Sequence, residues 1–225
     1  MILLYVVVFS VPATNSVVLL LNGADVVLFN APGGDDFWAR ALPAWTLRAC
    51  VLATAFLGLL MVCRTTLLIP VREVFTPRHS TDAQAQSHRR GQQWRVFLAA
   101  FLTITALTPP GEVLGGYAAD TPVDAAWTAL LLAPTQLTGP LVEEPIAMGL
   151  LVLLLRAARR PLGEVCAIGA LAKVGYHLYY GLPVLGLAVM AAILIWLYWR
   201  TGQLWPIVLA HISYNAVAFL LLVLP

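Results

Sequence analysis

Three short groups of polar residues interrupt otherwise apolar runs. Glu143 and Glu144 are neighbours, Lys173 and His177 are four residues apart, and His211 and Asn215 are four residues apart. A carboxylate and an imidazole at one buried point can share a proton, and a water held between them becomes a nucleophile by general-base catalysis. A second histidine with an asparagine on its helix face can donate hydrogen bonds to a developing oxyanion. The same types also suit a metal, since two His and a carboxylate, here Glu143, His177 and His211, form a catalytic zinc arrangement. The HExxH pattern of common metalloproteases is absent. The residue types alone leave the cofactor open between none and zinc.

The surroundings of these residues set the solvent. Of 225 residues, 60% are apolar and 11% charged, with a mean hydropathy of +0.85. A soluble fold could not hide that much apolar surface, whereas lipid tails accept it. The expected fold is an all-α, polytopic transmembrane bundle of about seven or eight spans, forming one integral membrane domain over 1–225. Seven segments approach the roughly 20 apolar residues a span needs: Ile2–Leu21, Cys50–Ile69, Trp94–Leu107, Ala126–Leu155, Gly163–Tyr180, Val184–Trp199 and Gln203–Leu224. Pro109-Pro110 ends the short third segment. Pro134, Gly139, Pro140 and Pro145 interrupt the long fourth, which reads as one kinked helix or two shorter ones. Ile2–Leu21 lacks a basic leader and reads as a first span, not a cleaved signal peptide. Asn22–Phe29 reads as its extension or as an interfacial stretch.

Charge placement orients the bundle. Arg72, Arg78, Arg89, Arg90 and Arg95 crowd the polar loop expected after span two, Arg156, Arg159 and Arg160 follow span four, and Arg200 follows span six. The opposite loops carry Asp25, Asp35, Asp36, Glu112, Asp120 and Asp124 against Arg40 and Arg48. Seven spans with the N-terminus in the cytoplasm place every basic cluster on one face, as the positive-inside rule asks of a multi-pass cell-membrane protein. His79 and His88 read as residues of a solvated loop. Cys50, Cys63 and Cys166 read as free thiols. A net charge of +2 gives no support to nucleic-acid binding.

Depth and facing then connect the polar groups. At 1.5 Å per helical residue, Glu144 lies roughly 18 Å, His177 roughly 21 Å, His211 roughly 16 Å and Asn215 roughly 22 Å from the nearest basic or loop boundary. Three helices thus bring polar groups to one level. The spacing of four puts Lys173 with His177, and His211 with Asn215, on shared faces. Pro145 disfavours helical geometry at Glu144, so the glutamate pair is expected at a break or first turn. A proton or ion site of a transporter, and plain interhelical hydrogen-bond glue, are the competing readings of such residues.

In these residues the chain resembles the CPBP intramembrane proteases, the family of CAAX proteases and bacteriocin-processing enzymes also called Abi. Its motifs EExxxR, FxxxH and HxxxN correspond to Glu143–Met148, Lys173–His177 and His211–Asn215, and Thr201–Phe219 resembles its final motif region. The resemblance spans roughly Trp127 to Leu224, within a catalytic-like half at 126–225. It implies an endopeptidase that hydrolyses a peptide bond of a peptide or protein substrate at the bilayer. Glu143 or Glu144 with His177 would activate water, and His211 with Asn215 would stabilise the oxyanion. The family's arginine position is Met148 and its phenylalanine position is Lys173. Lys173 is expected to supply the lost charge by pairing with a glutamate across two helices. Failure of that pairing would favour a catalytically inactive relative with a binding or immunity role.

Overall fold

The computed structural model describes residues 37–76, 83–108, 122–178 and 182–223, together with 4–6, 8–10, 13, 14 and 17. The expectations for Asn22–Phe29, Asp25, Asp35, Asp36, Arg78, His79, Pro109-Pro110, Glu112 and Asp120 lie outside these residues, as do the side chains of His88, Arg89 and Asp124.

The described residues form helices and their connections. α1 runs Phe37–Val62 and widens into a π-helical stretch, Cys63–Leu67. α2 is Arg72–Phe75 and α3 is Ala83–Leu107. α4 is Pro122–Glu143, followed by a second π-helical stretch, Glu144–Leu150, and by α5, Leu151–Ala157. α6 is Leu162–Gly175, α7 is Val184–Thr201 and α8 is Trp205–Val223.

Among the described residues, three helical stretches are long and apolar enough to cross a membrane: Phe37–Leu67, Leu130–Ala157 and Val184–Thr201. Trp205–Leu221 is a shorter apolar helix. The all-helical membrane architecture is therefore observed, whereas seven or eight spans are not established.

Boundaries differ from the sequence reading in three places, each for a local reason. α1 begins at Phe37, not Cys50, because its Ala- and Leu-rich start favours helix. Arg48 therefore lies within a helix and not in a loop. α3 begins at Ala83, since the Gln- and Arg-rich stretch before Trp94 is polar but helix-favouring. α6 stops at Gly175, which leaves His177 beyond the helix end. Lys173 and His177 consequently do not share a continuous helical face.

The packing centres on α8, which lies against both α3 and α4, while α6 packs on α7 and α1 on α4. The main core joins α1, α3, α7 and α8 through residues such as Leu59, Ile104, Leu194 and Ile207. Large side chains also remain on the outside, among them Phe56, Leu102, Leu171 and Leu185. In water such a surface would drive association, and in lipid it is the expected face.

Close helix approach depends on small residues. A methyl group at Gly186 on α7 would stand 2.7 Å from the backbone oxygen of Leu107 on α3. A backbone oxygen cannot rotate away as a side chain can. Gly186→Ala should therefore separate α3 from α7 and cost about 1–3 kcal/mol, the usual range for overpacking. Thermal unfolding in detergent measures this, and an unchanged midpoint would contradict the contact.

Candidate active site

Three prolines shape the helix that carries the glutamates. Pro140 has no N–H to give to the carbonyl of Gln136, four residues earlier. Asn215 Nδ2 on α8 donates to that oxygen at 2.8 Å. Asn215 therefore repairs a proline defect and ties α8 to α4. Pro134 is a second interruption, and Thr138 Oγ1 donates to its carbonyl. Pro145 likewise cannot bond Leu141, and the chain opens into the π-helical stretch starting at Glu144. The expected break at the glutamates is thus a widened turn in a continuous helical segment. All seven residues of that turn, Glu144–Leu150, are buried.

The two neighbouring glutamates face different helices. Glu144 Oε1 lies 2.7 Å from His211 Nδ1 on α8. Glu143 Oε2 lies 2.5 Å from Lys173 Nζ on α6, and Glu144 Oε1 lies 3.5 Å from the same ammonium. Lys173 thus reaches both carboxylates across the helix interface. Tyr176 donates to Glu143 Oε2 at 3.5 Å. The side chains of Glu144 and Lys173 are 5% and 8% exposed, against 23% for Glu143. Glu143 is therefore the more approachable carboxylate. A charge buried at this level persists only when paired, because desolvation costs several kcal/mol per ion.

His177 is placed by the end of α6. A helix leaves its last four carbonyls without intrahelical donors. His177 Nδ1 lies 3.0 Å from the carbonyl oxygen of Lys173, and the His177 backbone N–H donates to Val174. Tyr5 donates its hydroxyl to the oxygen of Ala172 at 2.5 Å. A carbonyl can only accept, so Nδ1 of His177 carries the proton and Nε2 the lone pair. His177 is half-buried and touches the ring of Tyr176, which stacks on Phe9.

Among the described residues, ligand atoms of Glu143, Glu144 and His211 lie within 4.8 Å of one another. His177 is not part of that group, so the closely spaced set differs from the Glu143, His177 and His211 set expected for a metal. Zinc places its ligands about 2.0–2.2 Å from one centre. Here the Lys173 ammonium already bridges both carboxylates. A divalent ion on the same oxygens would face that positive charge at a few ångström. The donor set fits an ammonium, not a metal ion. Beside it a small cavity is lined by Glu144, Met148, Lys173, Met190 and Leu194, next to the side chain that stands at the family's arginine position.

Sequence reasoning missed Tyr5, Tyr176 as a glutamate partner, and Arg48. Arg48 Nε donates to Thr138 Oγ1 at 2.7 Å, which brings the guanidinium to the level of the glutamates. Counted from Phe37, Arg48 is about 16 Å into its helix. The signal for it was the Ala- and Leu-rich stretch from Phe37 onward, which stays helical through Pro43. Read as helix, that run makes Arg48 an intramembrane cation.

These groups assemble a carboxylate pair, a bridging ammonium and the His211 imidazole at one buried point, with His177 held at the end of α6. No curated protein and no solved structure matches the chain significantly. Residues 125–217, the part of the chain that carries these motifs, match the family model described as type II CAAX prenyl endopeptidase Rce1-like.

Proposed function

We propose that the chain is an intramembrane endopeptidase in which Glu143 activates water and Glu144 with His211 serves the oxyanion. The observation that carries this reading is the convergence of Glu143, Glu144, Lys173 and His211 from α4, the π-helical stretch after it, α6 and α8 on one shielded cluster. Glu143 is the more exposed carboxylate, and its Oε2 is anchored by Lys173, which suits Oε1 to take a proton from water. His177, with its lone pair on Nε2, assists that proton transfer. Glu144 accepts from His211 Nδ1 and so fixes the ring, as an acidic partner does in acyl-transfer enzymes. For this role the ring must carry a proton on both nitrogens, so that Nδ1–H donates to Glu144 and Nε2–H to the oxyanion. Asn215 acts by holding α8 against the Gln136 carbonyl, and its second amide hydrogen remains for the substrate.

The substrate class follows from the family match, as a peptide or protein segment delivered at the bilayer. The proposed topology is seven spans with the N-terminus in the cytoplasm of a cell-membrane protein, with 126–225 as the catalytic half of one membrane domain. The charge distribution supports this orientation.

A second reading has one observation in its favour. Met148 replaces the arginine of EExxxR, and a relative that lost that charge could bind peptides without cleaving them. Lys173 opposes this, since it supplies a cation to the same carboxylates.

Activity in reconstituted membranes separates the two. His211→Ala and Glu143→Gln should each lower peptide hydrolysis by about 100-fold or more, as loss of a base or oxyanion donor does, with folding retained. Wild-type rates in either variant would remove the assignment.

A chelator series tests the ammonium-for-metal reading. Hydrolysis should survive metal chelation unchanged, and its loss on chelation with recovery on adding zinc would reverse that conclusion.

Lys173→Met should leave a buried carboxylate uncompensated and cost roughly 3–5 kcal/mol, unless a glutamate takes up a proton. Lys173→Phe combined with Met148→Arg moves the cation into the adjoining cavity and should recover much of the activity. Stability and rate measured across this pair of variants decide the matter, and a double variant no better than Lys173→Phe alone refutes the exchange of charge.

A further inference from the structure

Arg48 is a charged side chain inside an apolar helix, outside the segment that matches the family, and the mechanism above leaves it unused. Along α1 it stands about 16 Å from Phe37 and about 21 Å from Val62, too deep for its side chain to reach either end. A cation at such a depth is costly and persists by pairing with an opposite charge. Its Nε donates to Thr138, a neutral hydroxyl. Its Nη2 is buried and has no hydrogen-bond partner among the described residues. Hydrogen bonding therefore leaves the charge of Arg48 unmatched, and a carboxylate must match it.

Gly139 on α4 locates that carboxylate. A Cβ built there would stand 3.5 Å from Glu143 Oε1 and 4.0 Å from Arg48 Nη2. Both charged atoms therefore lie within 4.0 Å of one point beside the helix, closer together than the screening length of about 8 Å. The Glu143 carboxylate acts on the guanidinium through space. Lys173 and Tyr176 engage the other oxygen, Oε2. Glu143 and Glu144 thus stand beside two fixed cations, Lys173 and Arg48, which come from different helices. Ionising both neighbouring carboxylates requires both cations. With Lys173 alone, one net negative charge would stay in a low-dielectric interior, and proton uptake would remove it.

We infer that Arg48 is the second countercharge of the glutamate pair and holds Glu143 as the carboxylate that its role as base requires. This rests on the endopeptidase reading. Glu143 is the more exposed of the two glutamates, so a compensating proton would reach it first. A protonated Glu143 cannot take a proton from water. With the pair balanced by fixed cations, the proton on His211 serves the oxyanion and is not spent on the glutamates. Arg48 touches neither water nor substrate in this role. It is a positioning residue that acts through Glu143, from a helix outside the motif-bearing half, and it makes α1 part of the working unit.

The test uses the full chain, first in detergent and then in vesicles. Thermal unfolding of Arg48→Gln, Glu143→Gln and the double variant measures the coupling between the two charges. Gln at position 48 keeps an N–H donor for Thr138 and removes the charge. It should lower Tm by about 3 °C or more in the wild-type background, and leave Tm unchanged or raise it in Glu143→Gln, where Arg48 has lost its carboxylate. Equal shifts in both backgrounds overturn the inference. Should Arg48→Gln alone not fold, the double variant should fold, and failure of both overturns it as well. In steady-state peptide hydrolysis, Arg48→Gln should lower kcat by about 10-fold or more with KM within about twofold, because fewer molecules carry an ionised base. Arg48→Lys, which keeps the charge, should stay within about threefold of wild type. Wild-type kcat in Arg48→Gln, or Arg48→Lys falling as far as Arg48→Gln, overturns the role in hydrolysis and leaves the endopeptidase reading intact. Charge coupling in a chain that cleaves no peptide overturns the endopeptidase reading and keeps the countercharge.

Discussion

One ammonium between two carboxylates is the interaction on which the rest of the site depends. Glu143 and Glu144 are adjacent, and two negative charges so close in a low-dielectric interior repel strongly. Lys173 lies 2.5 Å from one and 3.5 Å from the other. With it, the pair carries one net negative charge, which His211 and Arg48 stand near enough to temper. Without it, the fold would have to protonate a glutamate or admit water. The ammonium also decides geometry: it anchors Oε2 of Glu143 and leaves Oε1 towards Gly139.

The backbone defects in this region are tied to the same residues. Pro140 frees the Gln136 carbonyl, and Asn215 takes it. The end of α6 frees three carbonyls, which Tyr5 and His177 take. Pro145 opens the π-helical turn that separates the directions of the two glutamates. Every such group must find a partner, because lipid offers none. Each residue that repairs a defect is thereby held in one position. Here the broken helix and the ordered polar cluster have the same cause.

The departures from the family pattern follow from this arrangement. An arginine at position 148 would enter the cavity beside Glu144 from the glutamates' own helical segment. Methionine there leaves a soft, apolar wall, and the charge arrives from α6 instead. Moving a cation between neighbouring helices preserves the local field, because the field depends on distance and not on which helix bears the charge.

Much of this was legible in the sequence. Composition placed the chain in a membrane, and the intramembrane cost of Glu143, Glu144, Lys173, His177, His211 and Asn215 singled them out before any coordinates. Pro145 beside Glu144 announced a break. Helix ends were less legible: Arg48 looked like a loop residue and His177 like a helical one, because propensity changes little over those residues while capping partners lie far away in sequence. Tyr5 is 167 residues from Ala172 and Asn215 is 79 from Gln136. Residue type and local spacing determined which side chains a bilayer would force into partnership. Which partner each one took was decided by helix packing, since hydrogen bonds and ion pairs act over a few ångström and the chain brings those atoms together only when folded.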